Sequence, residues 1–251
     1  MVVVGAGTLP FLALRGGSAG AGANALLTAV IAAAPDATAA AAAPTVADTI
    51  ARLLGYCMMA GATLVYSPMI VQVIKSRSGD GLSATAWALS VLGFGGALCY
   101  QASCGYPVST YGELIALTLQ SVALISLILV YDQKVQPAVI AAGLAAFGTI
   151  CVALVKHAPK YVLKALQAVS AAMLTLAIIP QVALNFQTGT CGWSKYSAML
   201  STCGNAIRVF TTLQVTKDKL VLVGFMGGLT LNGILLTQTL TLPNPTDKKK
   251  E

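Results

Sequence analysis

The chain is 251 residues long, 57% hydrophobic and only 9% charged, with a mean hydropathy of +0.80. Soluble domains carry roughly 25% charged residues, so these side chains cannot clothe a water-exposed globule, and a soluble enzyme is excluded. The formal charge of +7 sits in short loops and in the terminal "DKKKE", as beside spanning helices, and argues against a nucleic-acid partner.

Residues 1–47 form an Ala/Gly-rich extension or leader: an apolar start broken by glycines, then the low-complexity "PDATAAAAAPT". A poorly ordered segment with a short membrane-associated helix near 23–34 is expected there. Apolar runs of membrane length follow at 50–74, 82–103, 111–131, 136–155, 161–186, 195–215 and 219–240, each near the roughly 20 residues a span needs. The breaks "SRSGDG", "SCGYPVST", "DQKVQP", "KHAPK", "QTGTCGW" and "TKDK" carry turn chemistry. The expected fold is an all-α membrane protein with seven transmembrane helices. Residues 242–251 are a basic tail. Its "KKKE" has the form of a dilysine retrieval signal if the C-terminus is cytosolic, and otherwise reads as a tail near anionic headgroups. Lysines and arginines divide seven to six between the two sides of such a bundle, so charge does not orient it.

Two segments align. "PMIVQVIKSRSGDGLSATAWALSVLG" begins at Pro68 and "PQVALNFQTGTCGWSKYSAMLSTCG" at Pro180. Gly81-Leu82-Ser83 answers Gly192-Trp193-Ser194, and Gly93 answers Gly204, with one residue of gap between proline and triplet. This is the mark of an internal duplication. Two three-helix repeats, 48–131 and 158–241, with a linker helix in 132–157 between them, make a 3+1+3 arrangement of the kind found among transporters. A proline removes a backbone donor and clashes with the preceding turn. Matched prolines therefore suggest two hinges around a central cavity, or static kinks inherited with the duplication.

"IPQVALNFQTGTCGWS" resembles the second proline–glutamine motif of the PQ-loop repeat family, and the resemblance runs from about Arg52 to Leu240. It implies a seven-helix membrane protein akin to sugar, cystine and basic-amino-acid carriers. Within the family, "SRSGDGLS", "GYPVSTYGELIALTLQ" and "GNAIRVFTTLQVTKDK" resemble the mannose-P-dolichol utilization defect 1 branch. "GYP..TY" and "R.FTTL..T.D" are also shared with the branch of PQ-loop repeat-containing protein 3. The former implies the endoplasmic reticulum and the use of dolichol-phosphate-mannose and dolichol-phosphate-glucose in glycosylation. The role would be that of a lipid-sugar carrier or of a non-transporting scaffold for glycosyltransferases. The competing expectation is a carrier of a small solute (sugar, amino acid or organic acid) in another organelle such as a plastid. The sequence departs from the family where Pro68 is followed by Met69 rather than glutamine, and Gln72, one turn on, is a candidate stand-in.

A charge in mid-membrane costs at least ~2.5–3.5 kcal/mol on insertion scales, which singles out Arg208, deep in the sixth run, where the first repeat has Ala97. It reads either as a donor fork for phosphate or sugar hydroxyls or as a structural arginine that snorkels or bonds helix-end carbonyls. Asn205 lies one turn earlier on the same face, and Asn232 lies midway along the last run. The family resemblance implies substrate contact for these asparagines; Gln120, midway along the third run, is the next candidate for substrate contact, and Gln181 belongs with Pro68 and Pro180 to the hinge motif. Glu113 and Asp132 are expected at span ends. Six cysteines without a CxxC pair and a lone His157 in a loop leave no metal site, no cofactor loop and no nucleophile–base pattern. Cys57, Cys99, Cys151 and Cys203 read as small packing residues, and Cys104 and Cys191 as loop residues.

Overall fold

The computed structural model describes residues 45–79, 82–176, 178–189, 191 and 195–243. The extension with its expected short helix, Gly81, the Gly192-Trp193-Ser194 triplet and the basic tail from 244 lie outside the described residues.

Among the described residues every regular element is helical. These are α1 (Val46–Val65), α2 (Ser67–Ser76), α3 (Ala84–Ser103), α4 (Val108–Tyr131), α5 (Pro137–His157), α6 (Lys160–Leu176), α7 (Ile179–Thr188), α8 (Lys195–Thr211) and α9 (Lys219–Thr241). A π-helical turn, Thr212–Thr216, continues α8. Taking α1–α2 and α6–α7 as broken single helices gives seven helical stretches, where the apolar runs place them.

Among the described residues, five stretches are long and apolar enough to cross a membrane: Val46–Ser76, Val108–Tyr131, Pro137–His157, Lys160–Thr188 and Lys219–Thr241. The other two differ for physical reasons. Nearly all of α3 from Gly93 to Ala102 is buried, so that stretch meets protein on every side and needs no lipid-facing apolarity. α8 has 17 residues and gains length only through its π-turn. The first helix starts four residues before the expected 50, because Thr45 and Asp48 form a capping box. The Thr45 hydroxyl accepts from the Asp48 N–H at 3.2 Å, and the Asp48 carboxylate accepts from the Thr45 N–H at 3.1 Å.

The described residues fall into two compact units. The first holds 60–105 and 113–158. There α2 rests on α4 through Ile70, Val73, Leu124 and Leu127, flanked by Tyr66, Met69 and Trp87. The Tyr66 and Trp87 rings meet edge-on at 4.9 Å. The helix expected as linker, α5, packs on α3: a Cβ on Gly95 would sit 2.7 Å from the Phe147 ring. One turn on, the Cys99 thiol points to the Cys151 carbonyl at 3.9 Å.

The second unit holds 45–59, 106–112 and 159–243. Its axis is α9, which α6, α7 and α8 pack against. Small residues let the backbones close in: a Cβ on Gly224 would stand 2.9 Å from that of Ala171, one on Gly227 3.2 Å from Thr175, and one on Gly228 2.6 Å from Asn205 Oδ1. The middle of α1 is seated on the start of α4, with Gly55 against the Ser109 carbonyl and Gly112 against Met59.

The two aligned segments end their elements alike. α2 closes on Arg77 at φ 51° and α7 on Gly189 at φ 60°, both left-handed. The α3 stretch ends on left-handed Gly105 and the α8 stretch on left-handed Lys217. Twelve residues lead from Gly93 to Gly105, but thirteen from Gly204 to Lys217. The π-turn takes up the extra residue, with the Lys217 N–H donating to the Thr212 carbonyl at 2.7 Å. The connection to α9 is shorter by one in return.

Candidate functional site

Pro68 stands at the start of α2, and the helix is broken at Tyr66. In an unbroken helix the Tyr66 N–H would donate to the Ala62 carbonyl, four residues back. The side chain of Gln120, from α4, occupies that bond instead. Its Oε1 accepts from the Tyr66 N–H at 2.8 Å, and its Nε2 donates to the Ala62 carbonyl at 2.7 Å. Both main-chain groups are satisfied by one buried amide, the condition for keeping a break inside apolar surroundings. The Ser67 hydroxyl donates back to the Thr63 carbonyl at 2.6 Å.

At the second break the polar groups form a chain. Gln181 Nε2 donates to Asn185 Oδ1 at 2.8 Å, and Asn185 Nδ2 donates to Gln238 Oε1 at 2.9 Å and towards Cys191 Sγ at 3.3 Å. Gln238 Nε2 completes it on the Val182 carbonyl at 3.1 Å. Asn185 is 2% exposed and Gln238 4%, so α7 is tied to α9 by amides that have exchanged water for one another. At the matched positions the first repeat has Met69, Val73 and Leu127. Met69 is thus one member of a set that is apolar throughout, not an isolated loss of glutamine. Gln72 is exposed, and takes no part in that packing.

The turns after α2 and α7 are also held at matched points. The Gly79 N–H donates to both Asp132 carboxylate oxygens at 3.0 Å, while the Cys191 N–H donates to the Pro243 carbonyl at 3.0 Å. Asp132 at its span end is therefore an anchor.

Three of the four residues expected to bind substrate line the α8–α9 seam. The Arg208 guanidinium, one turn before the π-turn that continues α8, lies 5.7 Å from the Phe225 ring centroid of α9, where the ring face favours a cation. Asn205, one turn earlier, abuts Gly228 and donates to the Ser201 carbonyl at 2.9 Å. Asn232, 7% exposed, donates to the Gly228 carbonyl at 2.8 Å. The seam thus joins one cation and two amides in apolar helices, suited to a solute with hydroxyl, carboxylate or phosphate oxygens. Gln120 lies apart, in the first unit, bonded to the helix break.

Sequence reasoning missed Asn185 and Gln238, although Asn185 follows Gln181 by one helical turn. Glu113 is not at the end of its helix but in the second turn of α4, 6% exposed. His157, expected in a loop, is instead the last residue of α5, and it is exposed. Cys99, Cys151 and Cys191 are buried, whereas Cys57, Cys104 and Cys203 are exposed, and all six are free thiols.

A model of the PQ-loop repeat matches residues 162–221, which include Pro180 and Gln181. Human solute carrier family 66 member 3 is 30% identical over 185 residues, covering 72% of this chain and 90% of that protein. With membrane-length helices, two proline breaks and this relative along most of its length, the chain belongs to the PQ-loop repeat family of multi-pass membrane proteins.

Proposed function

We propose that the protein is a membrane transporter of a small polar solute, built as two three-helix repeats and a linker helix. Asn205, Arg208 and Asn232 would hold the solute, and the breaks before Pro68 and Pro180 would act as hinges. The observation that carries this reading is the α8–α9 seam: one cation and two amides in apolar helices, at a cost that solute binding would justify. The relative's printed name, a solute carrier, supports it.

The test is flux into proteoliposomes, with hexoses, neutral and basic amino acids and dicarboxylates as probes. Saturable uptake of one class, abolished by Arg208→Ala and Asn232→Ala in variants that melt like the parent, is the expected result. Folded protein that moves none of these probes would overturn it.

A second reading rests on "SRSGDGLS", "GYPVSTYGELIALTLQ" and "GNAIRVFTTLQVTKDK", and on the dilysine-like "KKKE". These favour a protein of the endoplasmic reticulum that handles dolichol-linked mannose or glucose, as a lipid-sugar carrier or beside glycosyltransferases. Expression in a eukaryotic cell lacking its own mannose-P-dolichol utilization protein decides it. Restored full-length lipid-linked oligosaccharide supports this reading, and persistent truncation with correct insertion removes it. Arg208→Ala separates its two forms, since a scaffold survives the substitution and a carrier does not.

A further inference from the structure

We infer that Gln120 is an exchangeable pin, which makes the bend before Pro68 the movable joint of the protein and leaves the bend before Pro180 fixed. The inference rests on the hinge reading above and narrows it: of the two breaks named there, only the one before Pro68 moves.

The argument is a count of hydrogen bonds. In the bent form the Tyr66 N–H and the Ala62 carbonyl are both satisfied, by the two ends of one side-chain amide. When that amide withdraws, those two groups stand four residues apart in one helix and can bond to each other. The exchange itself orphans no main-chain group, although Pro68 still denies the Leu64 carbonyl its helical donor and keeps a kink there, and only the freed glutamine must find new partners. The bent form is therefore the ground state, with the closed-up form within reach. Between the joint and the far end of α2, where the Gly79 N–H is anchored on Asp132, α2 meets α4 through Ile70, Val73, Leu124 and Leu127, apolar contacts that can slide.

The second break has no such exchange. Moving α7 against α9 would unpair Gln181, Asn185 and Gln238 together and strip Gln238 from the Val182 carbonyl. A buried network that is satisfied only as a whole resists partial opening. The substitutions between the repeats, Met69 for Gln181, Val73 for Asn185 and Leu127 for Gln238, thus separate a joint that slides from one that is bolted.

The test needs no solute. Spin labels carried on unnatural amino acids at Leu53 and Val71, both exposed, report the α1–α2 bend in the full chain in lipid nanodiscs. A second pair at Val169 and Leu184, also exposed, reports α6–α7. Closing the first bend lengthens the first distance towards a ceiling of about 27 Å, set by the helical rise over eighteen residues. Gln120→Leu is expected to raise the long-distance population at least fivefold and leave the second pair unmoved. Gln120→Met, which keeps the length and removes both polar ends, serves in its place if the leucine variant does not fold. An unchanged first distance, or an equal shift in both pairs, would overturn the inference. Since no flux enters the readout, loss of the transporter reading leaves this result standing, and the reverse also holds.

Discussion

The Tyr106 hydroxyl donates to the Asp218 carboxylate at 2.6 Å, and the other oxygen of Asp218 caps α9 through the N–H groups of Leu220 at 2.7 Å and Val221 at 3.3 Å. "GYP" and "T.D", far apart in sequence, thereby meet. Tyr106→Phe should lower stability by ~1.5–3 kcal/mol, as for a hydrogen bond to a charged group. Asp218→Ala should cost more, because the cap is lost as well. Thermal melts in detergent over the double-mutant cycle should show the double variant no less stable than Asp218→Ala alone.

Asn185 is the node of the second break. Asn185→Val strands the buried Oε1 of Gln238 and frees the half-buried Gln181, and should cost ~1–3 kcal/mol, on the scale of an unsatisfied buried group. The triple variant Gln181→Met, Asn185→Val, Gln238→Leu installs the first repeat's own set. It should recover most of that loss in the same melting assay. A triple variant less stable than the single one would show that the two breaks are not interchangeable in shape.

Gly79 leaves no room for a side chain: a Cβ there would lie 2.5 Å from the Asp132 carboxylate and 2.9 Å from Ile128. Gly79→Ala should destabilise by ~1–3 kcal/mol, as overpacking does. Because Asp132→Ala removes the closer of the two clashing groups, the double variant should be less damaged than the sum of the singles. Chemical denaturation of all three proteins measures it.

Gly228 offers a way to move a seam residue without removing it. A Cβ at this position would meet Asn205 Oδ1 at 2.6 Å, the far end of a side chain that can swing aside. Gly228→Ala should change the melting temperature little, within ~1 kcal/mol of stability. It should raise the KM of flux several-fold while kcat holds, the signature of lost ground-state binding. An unchanged KM would place the solute elsewhere.

The helices were legible because a membrane demands about twenty apolar residues at a time, and the breaks because proline cannot continue a ladder. The partners of the polar residues were not. Gln120 stood out as an amide in an apolar run, but its partners are main-chain groups of Ala62 and Tyr66, which no side-chain pattern advertises. Asn185 and Gln238 lie near the ends of their runs, where a polar residue is ordinary. Only the packing of α7 on α9 turns them inward. The seam came through better, since Asn205 and Arg208 share a face by spacing alone. Glu113 misled because the expected span began three residues inside the actual helix.

The π-turn at Thr212–Thr216 separates chain length from folded length. Removing one residue from Leu213 to Val215 would let the helix run on as a regular α-helix and end in nearly the same place, as the twelve-residue run from Gly93 ends on left-handed Gly105. Asp218 would still reach Tyr106, although the chain was one residue shorter. Two aligned segments of equal folded reach thus differ in length, and the extra residue inside the helix is offset by the missing one in the turn after it.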